Sequence, residues 1–117
     1  MRKKLEIFLR FADVVKKYRI SLDIQLNVYR ILQEQLKNIL KYASATVIKV
    51  DVDIKNNNLE MRVSDNGVGF NVESVKEGIG LANMKRRAEL FSGKFEIDSS
   101  PGNGCIILVE IPLQETN

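Results

Sequence analysis

The chain has 117 residues and a formal net charge of +3, with 44% apolar and 28% charged residues. This is the composition of an ordinary globular protein, and at this length one domain can bury roughly two-thirds of the surface its unfolded form exposes. The single cysteine, Cys105, excludes an internal disulfide, and the absence of histidine excludes the usual zinc sites, Ser-His-Asp hydrolysis and histidine acid–base chemistry.

No apolar run approaches the length of a membrane span. The basic start, MRKKLEIFLRFADVV, is interrupted by Arg10 and Asp13 and has no small-residue cleavage site, so it does not read as a signal peptide. A cytoplasmic setting without direct membrane contact is expected. The densest basic run, Lys85-Arg86-Arg87, reads as a solvated helix face, since a nucleic-acid surface would need a longer stripe.

Residues 4–18 place Leu5, Phe8, Leu9, Ala12 and Val15 at helical spacing and predict a helix. Ile20, Leu22 and Ile24 then alternate, which predicts a short strand. A second helix is predicted from about 26 to 43, with an apolar stripe of Val28, Ile31, Leu32, Leu36, Ile39 and Ala43. Ile48, Val50, Val52 and Ile54 form one face of a strand, and residues 55–58 turn it into an antiparallel partner ending at Asp65. Residues 66–77 lack a sustained period and read as a loop, followed by a third helix over about 81–91.

Phe95 and Ile97 mark a further strand, SPGNG a turn, and the nearly all-apolar CIILVEI a strand that lies centrally in the sheet or is covered on both sides. Strands in pairs with helices inserted favour a single two-layer α/β sandwich over a doubly wound parallel sheet.

Three groups of residues could carry chemistry. In MRVSDNGVGF the alternation of Leu59, Met61 and Val63 carries Asp65 onto the apolar side of its strand. Asn-Gly is a strong hairpin signal, but loop and helix follow instead of a strand. An inward carboxylate needs donors, and a ligand amino group such as the exocyclic amine of adenine would be one. Gly67 and Gly69 would let the backbone come close to a flat base.

In QEQLKNILKYA, Glu34, Asn38 and Lys41/Tyr42 form one polar stripe on a helix. Any amphipathic helix has such a face, yet this one combines a carboxylate, an amide oxygen and a cation, which suits Mg²⁺ and phosphate oxygens. In EGIGLAN, Gly78 and Gly80 open a helix, leaving free N–H groups for an anion. There is no GxxxxGK[ST] loop, and Val72 and Asn83 stand where a dinucleotide fingerprint would need Gly or Ala.

Taken in order, QEQLKNILKYA, DNGVGF and GIGLANMKRRAELFSGKFEIDSSPGNGCIILVEIP closely resemble the ATP-binding catalytic domain of sensor histidine kinases, over residues 28–113. That superfamily also includes gyrase, the Hsp90 chaperones and MutL. The likeness is strongest to the subclass whose sensors pair with helix-turn-helix response regulators. It implies the Bergerat-type ATPase fold, a mixed and mostly antiparallel sheet with three helices on one face, filling 1–117 as a single domain.

It also implies roles for the matching positions. Asn38 would bind Mg²⁺ and through it the phosphates of ATP, while Glu34 would join the metal shell or act as general base. Lys41 and Tyr42 would line the phosphate and adenine sides. Asp65 would accept from the adenine amine, with Gly67 and Gly69 in the first glycine box. The N–H groups of Gly78, Ile79, Gly80 and Leu81 would hold the phosphates, and residues 71–77 would form the ATP lid.

The chain departs from the pattern in three ways. Tyr42 stands where this subclass usually has histidine, Cys105 stands where a threonine usually adds a water-mediated adenine contact, and SLDIQLNVY is short between first strand and second helix. With no histidine, the chain is expected to be a fragment or one half of a larger sensor, its partners a separate dimerisation and phosphoacceptor domain and, through it, a response regulator. Two alternatives on the same fold are a serine kinase restraining a sigma factor and a degenerate, non-catalytic interaction module. A gyrase or chaperone ATPase fits less well, because no transducer domain follows.

Overall fold

A computed structural model describes residues 4–74 and 80–113. Strand β1 spans Glu6–Phe11, followed by the short helix α1, Asp13–Lys17, and the long helix α2, Leu22–Asn38. The helical path continues as a π-helical turn, Ile39–Ala43. Strands β2 (Val47–Lys55) and β3 (Asn58–Asp65) form a hairpin, and a 3₁₀ turn at Val72–Ser74 follows. Helix α3 (Leu81–Glu89) and the strands β4 (Lys94–Ser99) and β5 (Cys105–Pro112) complete the chain. Of the expected lid at 71–77, residues 75–77 lie outside the described residues.

The five strands are ordered β1-β2-β3-β5-β4. Only β1 and β2 run parallel, joined by a crossover through α1 and α2, while the remaining neighbours are antiparallel. The mixed, mostly antiparallel sheet under three helices therefore matches the two-layer expectation.

The hairpin between β2 and β3 turns on Asn56 and Asn57, at φ of 51° and 61°. Asparagine tolerates this left-handed geometry, and a turn positive at both central residues matches the twist of the strands it joins.

The first 25 residues differ from expectation. Residues 4–18 are not one helix. Residues 6–11 pair in parallel with 47–52, placing Ile7, Leu9 and Phe11 beside Ile48, Val50 and Val52, and only 13–17 are helical. The helical spacing arose because β1 is an edge strand with an apolar residue, Phe8, on its open face as well. The expected strand at Ile20–Ile24 is the start of α2 instead. Ser21 caps that helix, its Oγ accepting from the Ile24 N–H at 3.2 Å, and Asp23 sits favourably in the positive first turn. The segment SLDIQLNVY is thus no connection between strand and helix: Ser21 caps α2 and residues 22–29 lie inside it.

The core lies between the covered face of the sheet and α2 and α3. Ile48, Val50, Met61, Val63, Ile107 and Val109 are buried against Ile31, Ile39, Met84 and Ala88. The other face carries Lys49, Asp51 and Arg62, with an exposed Arg10–Asp51 ion pair at 2.7 Å. Strand β5 lies centrally, between β3 and β4, and its outward Ile106 and Leu108 are half-buried, so the sheet is covered on one side only.

Two truncations separate these faces. Ile107→Ala, at a fully buried position, should cost about 3 kcal/mol in urea unfolding. Phe8→Ala, on the open face of the edge strand, should cost about 1 kcal/mol or less. Equal costs would contradict the one-sided core.

Candidate functional site

Helix α2 crosses the sheet so that its C-terminal turns come over the ends of β3 and β5. There a cleft of about 310 Å³ opens, lined by Gln35, Asn38, Ile39 and Tyr42 on one side and by Asp65, Gly69, Phe70 and Cys105 on the other. The register explains how Asp65 reaches it. Asp65 lies opposite Ile48 on β2 and opposite Cys105 on β5, one step beyond the inward-facing Val63.

The loop after Asp65 is fastened on both flanks. The Val68 N–H donates to the Ala43 carbonyl at 2.8 Å, at the end of the π-helical turn. The Gly104 N–H donates to the Gly67 carbonyl at 3.0 Å, and the Gly102 N–H to the Val68 carbonyl at 2.6 Å. Asn66 Oδ1 accepts from the N–H groups of Thr46 and Val47, both at 2.9 Å.

A side chain at Gly67 would collide with the Ala43 carbonyl, and one at Gly69 with the Ser100 carbonyl. The space these glycines leave is thus filled by the chain's own backbone, which is a different use from the close approach to a base that the sequence suggested. Gly69 still borders the cleft.

The electrostatics centre on Asp65. Its Oδ1 accepts from the Gly67 N–H at 2.7 Å, whereas Oδ2 is buried with no hydrogen-bond partner among the described residues. Desolvation holds its pKa above the usual carboxylate value, only partly offset by the Gly67 hydrogen bond. Burial, and next the charge of Asp65, push the Cys105 thiol up to about 11, so it is neutral at physiological pH.

The other expected residues are distributed around this cleft. Glu34 lines a separate polar groove between α2 and α3, of about 300 Å³, together with Arg30, Lys37, Asn83 and Arg87. Gly80, at φ 70°, precedes α3, and a side chain there would meet the Glu34 carboxylate. The N-terminus of α3 therefore rests against Glu34. Leu81 packs on the core, Lys41 is exposed, and Gly78 and Ile79 lie outside the described residues. Among the described residues no three or more His, Cys, Asp or Glu side chains gather to hold a metal. Glu34 and Asn38 are one helical turn apart and could share one only with oxygens from a ligand.

Three contributors escaped the sequence reading. Phe70 forms part of the cleft wall, and its N–H donates to Ser99 Oγ at 3.0 Å. The Ser99 hydroxyl in turn donates to the Gly104 carbonyl at 2.6 Å, bracing the loop. Gln35 is buried in the cleft, and its signal was present: a polar residue four positions from both Ile31 and Ile39, inside the apolar stripe.

The raised Asp65 gives a signed expectation. Between the unfolded value, 3.8, and the higher folded one, the native state holds the extra proton, so this group's contribution to stability falls as pH rises. Asp65→Asn removes that fall. In urea unfolding without ligand, the variant should gain on the wild type as pH rises above the unfolded value; a constant difference would contradict the buried, donor-poor carboxylate.

The family of histidine kinase-, DNA gyrase B- and HSP90-like ATPases matches residues 23–115. The oxygen sensor histidine kinase NreB of Staphylococcus carnosus is 39% identical over 99 residues, covering 83% of this chain and 28% of that protein. The sensor histidine kinase LiaS of Bacillus subtilis is 38% identical over 95 residues, 80% of this chain and 26% of LiaS. The sensor protein VraS of Staphylococcus aureus is 34% identical over 108 residues, 92% of this chain and 31% of VraS. This chain thus spans between roughly a quarter and a third of the length of these relatives.

Among solved structures, the histidine kinase domain from the Erythrobacter litoralis EL346 blue-light activated histidine kinase superposes with a TM-score of 0.80, over 96% of this chain and 56% of that one. At 18% identity this is a likeness of fold. The resemblance drawn from the motifs holds in both respects, and the chain belongs to the histidine kinase-, DNA gyrase B- and HSP90-like ATPase family.

Proposed function

We propose that this chain binds Mg·ATP in the cleft beside Asp65 and passes the γ-phosphoryl group to a histidine on a separate phosphoacceptor domain, from which a response regulator takes it. The observation that carries this reading is the buried Oδ2 of Asp65, an acceptor without a donor among the described residues, in a mostly apolar, base-sized cleft. Burial of such an oxygen is unfavourable unless a bound group supplies the hydrogen bond. The exocyclic amine of adenine is such a group, and Ile39, Tyr42 and Phe70 offer apolar and aromatic surface to its ring.

Asn38 and Glu34 would contribute oxygens to Mg²⁺, which neutralises charge on the phosphates during transfer. Alternatively Glu34, in the groove next to the N-terminus of α3, would act as general base, with the N–H groups of residues 78–81 holding the phosphates. Lys41, exposed one turn beyond Asn38, is free to swing toward phosphate oxygens. With no histidine among the 117 residues, the acceptor is supplied from outside them. No helix among the described residues is long and apolar enough to cross a membrane. We place the ATPase in the cytoplasm, with no nucleic-acid partner, as one domain over 1–117.

Four experiments test the reading. Titrating the chain with Mg²⁺ and a non-hydrolysable ATP analogue should shift amides of Asn38, Tyr42, Asp65, Gly69 and Gly80; no shifts at saturation would end it. Asp65→Asn should weaken the analogue by about 1.5 kcal/mol or more, the loss of a charged hydrogen bond. Asn38→Ala should abolish the dependence of binding on Mg²⁺, and an undiminished dependence would remove Asn38 from the metal. Labelled phosphate should reach a histidine-bearing helical hairpin from a related sensor; transfer to a serine of an antagonist protein would point to the sigma-restraining kinases instead.

A further inference from the structure

Gln35 is a buried polar side chain in a stripe that is otherwise apolar, 3% exposed and lining the same cleft as Asp65. A glutamine amide carries two N–H donors and a carbonyl acceptor. Among the described residues its recorded bond is weak, from Nε2 to Cys105 Sγ at 3.6 Å. Sulfur is a poor acceptor and leaves the second N–H to find a partner elsewhere. Cys105 is directly opposite Asp65 in the β3–β5 ladder, so amide, thiol and carboxylate meet at one end of the cleft. The thiol is too weak a hydrogen-bonding group to substitute for the amide.

We infer that Gln35 is a specificity-determining residue of the purine pocket, its side-chain amide donating to ring nitrogen N1 of adenine while Asp65 accepts from the neighbouring exocyclic amine. This rests on the reading of the cleft as the ATP site and adds the residue that selects the base. An acceptor beside a donor complements adenine, which presents a donor at N6 and an acceptor at N1. Guanine and hypoxanthine present the reverse, an oxygen at position 6 and an N–H at N1, and would leave both protein groups unpaired in a place where water does not compensate.

The test uses ADP and 1-deaza-ADP, in which a C–H replaces N1 and the exocyclic amine is kept. By calorimetry the wild-type chain should bind the deaza analogue about tenfold more weakly than ADP, as expected for one buried hydrogen bond. Gln35→Leu should bind both alike, to within about twofold, at roughly the wild-type affinity for the analogue. Gln35→Met serves as a second apolar replacement, and thermal unfolding of each variant reports whether the fold is kept.

Equal wild-type affinity for the two nucleotides overturns the inference without recourse to any variant, while leaving the ATP reading intact. A tenfold preference that survives in a folded Gln35→Leu overturns it too, because N1 is then read by another group. If the wild type binds neither nucleotide, the functional reading fails and this inference fails with it.

Discussion

A carboxylate oxygen shut away from water, with no donor among the described residues, is the constraint around which this molecule is arranged. Asp65 Oδ2 is unfavourable where it is, by a few kcal/mol at most once the Gly67 N–H has satisfied its sibling oxygen. The fold tolerates it because its position follows from pairing registers that also place Ile48, Val63 and Ile107 in the core. Moving Asp65 outward would slip a strand by one residue and turn that whole apolar row toward solvent. The carboxylate is held there by the sheet.

The surroundings fix the cleft beside that carboxylate. Asp65 ends β3, and the five residues after it are fixed between the π-helical turn at Ile39–Ala43 and the turn between β4 and β5. A π-helical turn is wider than an α-helical one and is frequent at functional sites. Here it brings the Ala43 carbonyl to Val68 and leaves Tyr42 and Ile39 bordering the cleft. Helix α2 then links two chemically different spaces. Its last turns border the apolar cleft, and the preceding turns, with Glu34 and Lys37, border the polar groove against α3. A nucleotide has the same division, an apolar base at one end and charged phosphates at the other.

The sheet was legible from residue 47 onward because its strands alternate cleanly on a one-sided core, and the same alternation exposed Asp65. The amino-terminal segment was not. At the sheet edge, Ile7, Leu9 and Phe11 are more than 45% exposed and Phe8 faces the other way, so the pattern satisfied a helical period as well as a strand. Pairing with β2, a contact across 41 positions between Glu6 and Val47, decides the matter, and no local window contains it. The candidate site was legible in its residue types and less so in their arrangement. The glycines were visible, but that Ala43 and Ser100 occupy the space beside them depends on tertiary packing. Gln35 was readable by the argument applied to Asp65, a polar group inside an apolar period.

The central claim, that the oxygen of Asp65 finds its donor in an adenine base, is tested most directly by following the Asp65 side-chain carboxyl carbon by NMR as a function of pH, without and with saturating adenosine. A neutral nucleoside adds no phosphate charge, so any change reports the base alone. The account predicts a titration above the usual carboxylate value in the free chain, moving down when adenosine donates to the charged form. A carboxyl that titrates normally in the free chain, or one whose titration adenosine leaves unmoved, would contradict it.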